Sequence, residues 1–160
     1  MKGVILIENV VSVYTDGSCN GNPGPGGYAA IIRKGEWCKE ISGAVPYSTN
    51  NRMELTAVIR GLSEIEKGST VRVLTDSAYI ERAVNEGRLA VWQENGWRRI
   101  RTLEPVRNAD LWRSLLSIVN SRDLDVKFQK IAAHRGNRFN ERVDFLARRA
   151  ARSAKHEVCS

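Results

Sequence analysis

The chain changes character near residue 50, and this switch limits the possible folds more than any other feature. Before it, residues 10–15 form a β-rich run that ends at Asp16-Gly17. Residues 28–33 and 37–41 read as two further strands, and Lys34-Gly35-Glu36 predicts a tight hairpin between them. Residues 20–27, Asn-Gly-Asn-Pro-Gly-Pro-Gly-Gly, predict a loop, because proline and glycine interrupt both helix and ladder. After the switch, Leu55, Val58, Ile59, Leu62 and Ile65 trace the apolar stripe of an amphipathic helix. Thr49 or Asn51 can cap its start, and Gly68 can close the turn behind it. A strand is predicted at residues 71–75, followed by a helix that begins near Ser77. A helix at 109–119, a strand at 126–131 and a helix at 141–151 complete the pattern. The last helix carries a stripe of Val143, Leu146, Ala147 and Ala150. Residues 88–107 mix Trp92 and Trp97 with several arginines and show no dominant period. Three strands followed by helix–strand alternation predict an α/β chain with one mixed sheet. Three strands would be antiparallel, and two more would join in parallel through helical crossovers.

At 160 residues the chain has the length of one compact domain, and no repeat or low-complexity linker divides it. Twenty-five Lys and Arg against eighteen Asp and Glu leave a formal charge of +7, which favours polyanionic partners, nucleic acid above all. Cys19, Cys38 and Cys159 are odd in number and far apart, so neither a zinc site nor a disulfide framework is expected. The apolar opening, residues 1–7, is short and broken by Glu8, and no stretch approaches a membrane span. These features predict a cytoplasmic protein with no membrane partner.

Four acids fall at positions where a site can form. Asp16 ends the first strand and Asp76 the fourth, and ligand sites in open α/β sheets gather outside the carboxyl ends of strands. Glu54 lies early in the first helix, and Asp144 in the first turns of the last. Each has a simple structural alternative: a turn at Asp16-Gly17, a capping box between Asn51 and Glu54, a helix cap at Asp76, a helical ion pair from Asp144 to Arg148. Taken together they suit a hard cation, which prefers oxygen ligands and relieves repulsion among crowded carboxylates. Two such ions roughly 4 Å apart can clamp a phosphodiester.

The surroundings of these acids resemble a known family. Tyr14-Thr15-Asp16-Gly17-Ser18-Cys19, with Gly21-Asn22-Pro23-Gly24-Pro25-Gly26-Gly27-Tyr28 after it, is similar to the start of type 1 ribonuclease H. Thr49-Asn50-Asn51-Arg52-Met53-Glu54-Leu55, Leu74-Thr75-Asp76-Ser77, Ala133-His134-Arg135-Gly136 and Asn140-Glu141-Arg142-Val143-Asp144 resemble its later motifs, in the same order. The resemblance covers about residues 10–152 and implies a single ribonuclease H domain over 1–160. A short N-terminal extension, 1–9, and a C-terminal tail, 153–160, would flank it. It implies a ribonuclease H-like fold with helices on both faces of a five-stranded sheet. It also implies cleavage of the RNA strand of an RNA–DNA hybrid, leaving 5′-phosphate and 3′-hydroxyl ends. Asp16, Glu54, Asp76 and Asp144 would bind two Mg²⁺ ions, with Mn²⁺ as a substitute, and His134 would help proton movement or product release. Asn22, Asn50, Asn51 and Cys19 would face the 2′-hydroxyl side of the hybrid. Thr49 and Asn108 match positions that hold a DNA-strand phosphate. Trp92, Trp97, Arg98, Arg99 and Arg101 resemble a basic protrusion that grips the duplex. Ala78 replaces a glutamine and Tyr47 a basic residue of some members. A monomer acting alone is expected, since no separate hybrid-binding domain is visible and the chain reads as a complete small protein.

Overall fold

A computed structural model describes residues 9–132 and 136–157, with side chains through 154. Five strands form one sheet in the order β3-β2-β1-β4-β5. Strands β1 (Val10–Cys19), β2 (Gly24–Lys34) and β3 (Trp37–Ser48) are antiparallel. Strand β4 (Thr70–Thr75) lies parallel to β1, and β5 (Asp125–Lys130) parallel to β4. The helices are α1 (Asn50–Leu62), α2 (Ala78–Asn85), α3 (Arg88–Glu94), α4 (Ala109–Ser121) and α5 (Arg138–Glu157).

Period-two alternation along the strands builds two cores. Val11, Val13, Ala30, Ile32, Val71 and Val73 pack against Leu55, Val58 and Leu62 of α1, Ile80 of α2, and Trp112 and Leu115 of α4. The alternate residues Tyr14, Ala29, Ile31 and Leu74 meet Val143, Leu146 and Ala147 of α5 on the other face. The predicted mixed sheet with helices on both faces is therefore present, and Ile65 is buried although it lies beyond the end of α1.

Several boundaries differ from the sequence reading, for identifiable reasons. Strand β1 runs on to Cys19 instead of ending at Thr15, and β2 begins at Gly24, inside the predicted loop. The glycines there are ladder residues whose missing side chains make room for neighbours. A Cβ on Gly27 would collide with the backbone of Ala147 and Ala151 in α5. Pro25 is accommodated because the β2–β3 register shifts between Gly24 and Gly26, a bulge at which no ladder N–H is needed. Strand β3 continues past Ile41 to Ser48. The two-residue Gly35-Glu36 turn pairs Lys34 with Trp37, as the hairpin prediction required. Helix α3 occupies part of the stretch that showed no period, and the bridge Arg98–Pro105 closes the rest into a small hairpin. Helix α5 starts at Arg138 and continues to Glu157, past the predicted end at residue 151, with Ala151 and Ala154 buried.

Because Gly27 lets α5 rest on the sheet, Gly27→Ala overpacks this contact. An expected loss of about 1–3 kcal/mol, at roughly 2–4 °C per kcal/mol for a domain of this size, lowers the melting temperature by several degrees in a thermal scan. A melting temperature equal to that of the unaltered chain would show that the contact yields.

Candidate active site

The sheet brings two acids to the same level. The β1–β4 register pairs Tyr14 with Leu74, so Asp16 and Asp76, two residues further along each parallel strand, arrive side by side. Glu54 joins them from α1 because Gly17 has no side chain: a Cβ there would run into the backbone of Met53 and Glu54. Asp16, Glu54 and Asp76 each offer a carboxylate oxygen, and these oxygens all lie within 4.8 Å of one another. Asp144 approaches Asp16 from α5, on the opposite face of the sheet, while its Oδ1 accepts a hydrogen bond from Arg148 Nε at 3.2 Å.

The electrostatics of this cluster are unfavourable without a cation. Asp16 is 5% exposed, and the Gly17 N–H donates to its Oδ1 at 2.9 Å. Burial pushes its pKa from 3.8 to about 7; a hydrogen bond with Glu54 opposes this, while Asp76 and Asp144 add to it. Glu54 is held well above the usual carboxylate range, first by burial and then by the charge of Asp16. Its Oε2 is buried with no hydrogen-bond partner. A buried oxygen without a donor, beside two further carboxylates, fits a hard divalent cation.

The simple alternatives for these acids are settled by their neighbours. Ser77 caps α2, its Oγ accepting from Ile80 N at 3.2 Å, so Asp76 is not the cap. Thr49, and not Asn51, caps α1 by accepting from Arg52 N at 3.3 Å, and Glu54 turns toward Asp16 instead of completing a capping box. The Asp144–Arg148 ion pair is present, and Asp144 reaches Asp16 as well. His134 lies outside the described residues.

A second feature sits beside the start of α1. Asn22, Thr49, Asn51, Arg107 and Asn108 line a hollow of about 360 Å³. Three of these side chains have an acceptor already engaged. Asn22 Oδ1 accepts from Asn50 N at 3.1 Å, Thr49 Oγ1 from Arg52 N, and Asn108 Oδ1 from Arg52 Nη1 at 3.3 Å. These three side chains turn donors toward a ligand, two amides and a hydroxyl, and the Asn51 amide and the Arg107 guanidinium join them. Such a lining suits an anion. Asn108 is fixed further by donating to Tyr79 Oη at 3.1 Å, and Arg52 forms a bidentate pair with Asp110 at 3.0 and 2.7 Å.

The remaining candidates divide. Trp92 and Trp97 are half-buried and packed against the core, Trp92 with its ring 6.0 Å from Trp112 and Trp97 beneath the Arg113 guanidinium at 5.4 Å. Trp92 also lines a second hollow, with Arg88 and Arg99, that shares Asn51, Arg107 and Asn108 with the first. Arg98, Arg99 and Arg101 are exposed around the small hairpin, where Arg98 Nη1 donates to Leu103 O at 2.9 Å. Asn50 and Asn51 are exposed in the first turn of α1, and Cys19 is half-buried at the end of β1, with burial raising its thiol pKa. Sequence reasoning missed Arg107, although its place directly before Asn108 was a usable signal. Among the described residues, no helix is long and apolar enough to cross a membrane.

Fold and site first define a class: an α/β domain with a carboxylate cluster that can hold a metal ion, and a polar hollow beside the start of α1. The family model described as RNase H matches residues 8–152. Ribonuclease H of Syntrophomonas wolfei is 47% identical over 144 residues, 89% of this chain and 97% of that one. Ribonuclease H of Moorella thermoacetica is 43% identical over 92% of this chain and 95% of its own. The crystal structure of LC9-RNase H1, a type 1 RNase H with the type 2 active-site motif, superposes with a TM-score of 0.77 at 29% identity, covering 91% of this chain and 74% of that one. LC11-RNase H1, solved in complex with an RNA/DNA hybrid, shares the fold with a TM-score of 0.68 at 24% identity, covering 90% and 98%. The chain belongs to the ribonuclease H family, whose members are nucleases and thus hydrolases.

The elevated Asp16 pKa sets a pH dependence. A carboxyl that binds its proton more tightly in the fold than in the unfolded chain destabilises the fold as it ionises. Stability therefore falls as pH rises from 3.8 to about 7 and is flat above. In the absence of divalent cation, Asp16→Asn melts several degrees above the unaltered chain at pH 8, and the gap closes near pH 4. Mg²⁺ raises the melting temperature of the unaltered chain at pH 8 more than that of Asp16→Asn. Equal melting curves for the two proteins across this range would contradict the arrangement.

Proposed function

We propose that this chain is an endoribonuclease that hydrolyses the RNA strand of RNA–DNA hybrids, leaving 5′-phosphate and 3′-hydroxyl ends. The observation that carries the reading is the Asp16–Glu54–Asp76 cluster with its buried, unpartnered Glu54 oxygen. The family membership and the hybrid-bound fold neighbour support the substrate. Asp16, Glu54, Asp76 and Asp144 would hold two Mg²⁺ ions, or Mn²⁺ in their place. When bound, these supply Lewis acidity and a water of lowered pKa to an in-line displacement.

The chain's own residues do the rest. The Gly17 N–H keeps the Asp16 carboxylate oriented into the cluster. Arg148 holds Asp144 from outside through its Nε donor. In this reading the Asn22–Thr49–Asn108 hollow, with Arg107, takes a phosphate of the uncut DNA strand. Asn50 and Asn51 stand in the first turn of α1 and Cys19 at the end of the strand that carries Asp16, where amide and thiol groups can sense a 2′-hydroxyl. His134 serves proton movement or product release. Trp92 and Trp97 brace the region around residues 88–107, while Arg98 and Arg99 present charge to the duplex. The domain would act as a single unit, monomeric and cytoplasmic.

The test is cleavage of a labelled RNA–DNA hybrid with Mg²⁺, beside single-stranded RNA, duplex RNA and duplex DNA, with and without chelator. Metal-dependent cutting of RNA only in the hybrid is expected. Asp16→Asn should abolish cutting while largely keeping hybrid binding, since it removes a ligand and leaves the basic surface intact. Binding without any cutting by the unaltered chain, or a fully active Asp16→Asn, would overturn the reading. For the hollow, Arg107→Ala should raise KM for the hybrid with kcat little changed, and an unaltered KM would remove Arg107 from the binding surface.

A further inference from the structure

A second basic recess borders the carboxylates from the α5 side. Ser18, Cys19 and Asn20, at and just past the end of β1, form one wall, and Arg148 and Arg152 form the other, around a volume of about 340 Å³. Asp144, Arg148 and Arg152 stand at i, i+4 and i+8, so they lie along one line of α5, each about 6 Å beyond the last. Asp144, at the head of this line, is the member that reaches Asp16. The charge of Arg148 is committed to Asp144. Arg152 is exposed and has no carboxylate partner among the described residues. The opposite wall carries no acid: a hydroxyl, a thiol and an amide face the two guanidinium groups.

A duplex has two phosphate backbones, and the donor-lined hollow beside α1 accounts for only one of them. The α5 recess begins at Ser18, two residues past Asp16 on β1, and shares helix α5 with Asp144, so a backbone that crosses the carboxylates passes beside it. We propose that the recess of Ser18, Cys19, Asn20, Arg148 and Arg152 binds a phosphate of the strand being cut, with Arg152 supplying the charge, within the first few nucleotides of the cleaved bond. The inference rests on the nuclease reading above and adds to it a residue that grips the cleaved strand. Arg152 is a binding residue, since it is two helical turns from the carboxylate that reaches Asp16.

The experiment compares the unaltered chain with Arg152→Ala and Arg152→Lys. Hybrid binding without metal is followed by fluorescence anisotropy over a range of salt, and cleavage kinetics with Mg²⁺ are measured in parallel. Removing one phosphate contact should make the slope of log K against log salt shallower by about 0.9. KM should rise several-fold while kcat stays near that of the unaltered chain, and Arg152→Lys should restore the slope. Shortening the cleaved strand on the side that lies over α5 should erase the difference between the unaltered chain and Arg152→Ala. The melting temperature should not change, because the side chain is exposed. An unchanged slope and KM in a protein that cleaves hybrids would overturn the recess. Absence of cleavage by the unaltered chain would instead strike at the nuclease reading.

Discussion

The structure turns on the close approach of α1 to β1 at Gly17. Helices normally stand off a sheet by the depth of two side chains, but here a helix backbone meets a strand backbone directly. That contact carries Glu54 to Asp16, and the β1–β4 register then adds Asp76. The same feature fixes how α1 crosses the sheet, and with it the depth to which Leu55, Val58 and Leu62 reach into the larger core. Packing and chemistry therefore share one constraint: a side chain at position 17 would disturb the core and separate the carboxylates together.

The cluster so assembled works against the fold that carries it. Asp16 and Glu54 are both held protonated beyond the ordinary range, by burial first, with Asp76 and Asp144 adding to the effect on Asp16 and the charge of Asp16 adding to that on Glu54. Two apolar cores on opposite faces of the sheet compensate, and the site lies where both are anchored. A cation would remove the repulsion outright, so binding it and folding around it are thermodynamically linked. The donor-lined hollow shows the opposite design. The acceptors of Asn22, Thr49 and Asn108 are occupied by neighbouring backbone and by Arg52, so these side chains offer donors to a ligand.

Much of this was legible in the sequence because the chemistry sits in compact local motifs. The periodic stripe in α1, the hairpin at Gly35-Glu36 and the order of strands and helices could be read from apolar spacing, and the four acids stood in recognisable surroundings. The ends of β1 and β2 could not be read. Glycine and proline at 24–27 signal a loop in isolation, and only the collision a Cβ would have with α5 or with Met53 explains why they belong in a ladder. Trp92 and Trp97 presented a similar ambiguity: the resemblance and the neighbouring arginines suggested a protrusion that grips the hybrid, and no local pattern showed that both side chains also pack, half-buried, against the core. The pairing of Arg52 with Asp110 joins residues 58 positions apart, and no local pattern announces it.

Helix α1 holds both the Thr49 cap that lines the hollow and the Glu54 carboxylate, five residues apart on one rod, about 7.5 Å along its axis. Arg52, between them, is bolted to Asp110 and Asn108 of the neighbouring segment, so the rod cannot slide relative to the far wall of the hollow. The molecule thereby carries a rigid gauge. In the proposed function one jaw receives a phosphate and the other the bond to be hydrolysed, and both sit on one continuous helix. Under the proposed function, the gauge measures the width of a groove: a duplex whose two backbones are spaced differently can fill one jaw but not both. Discrimination between helical forms would then come from the stiffness of thirteen residues of helix, before any single hydroxyl is touched.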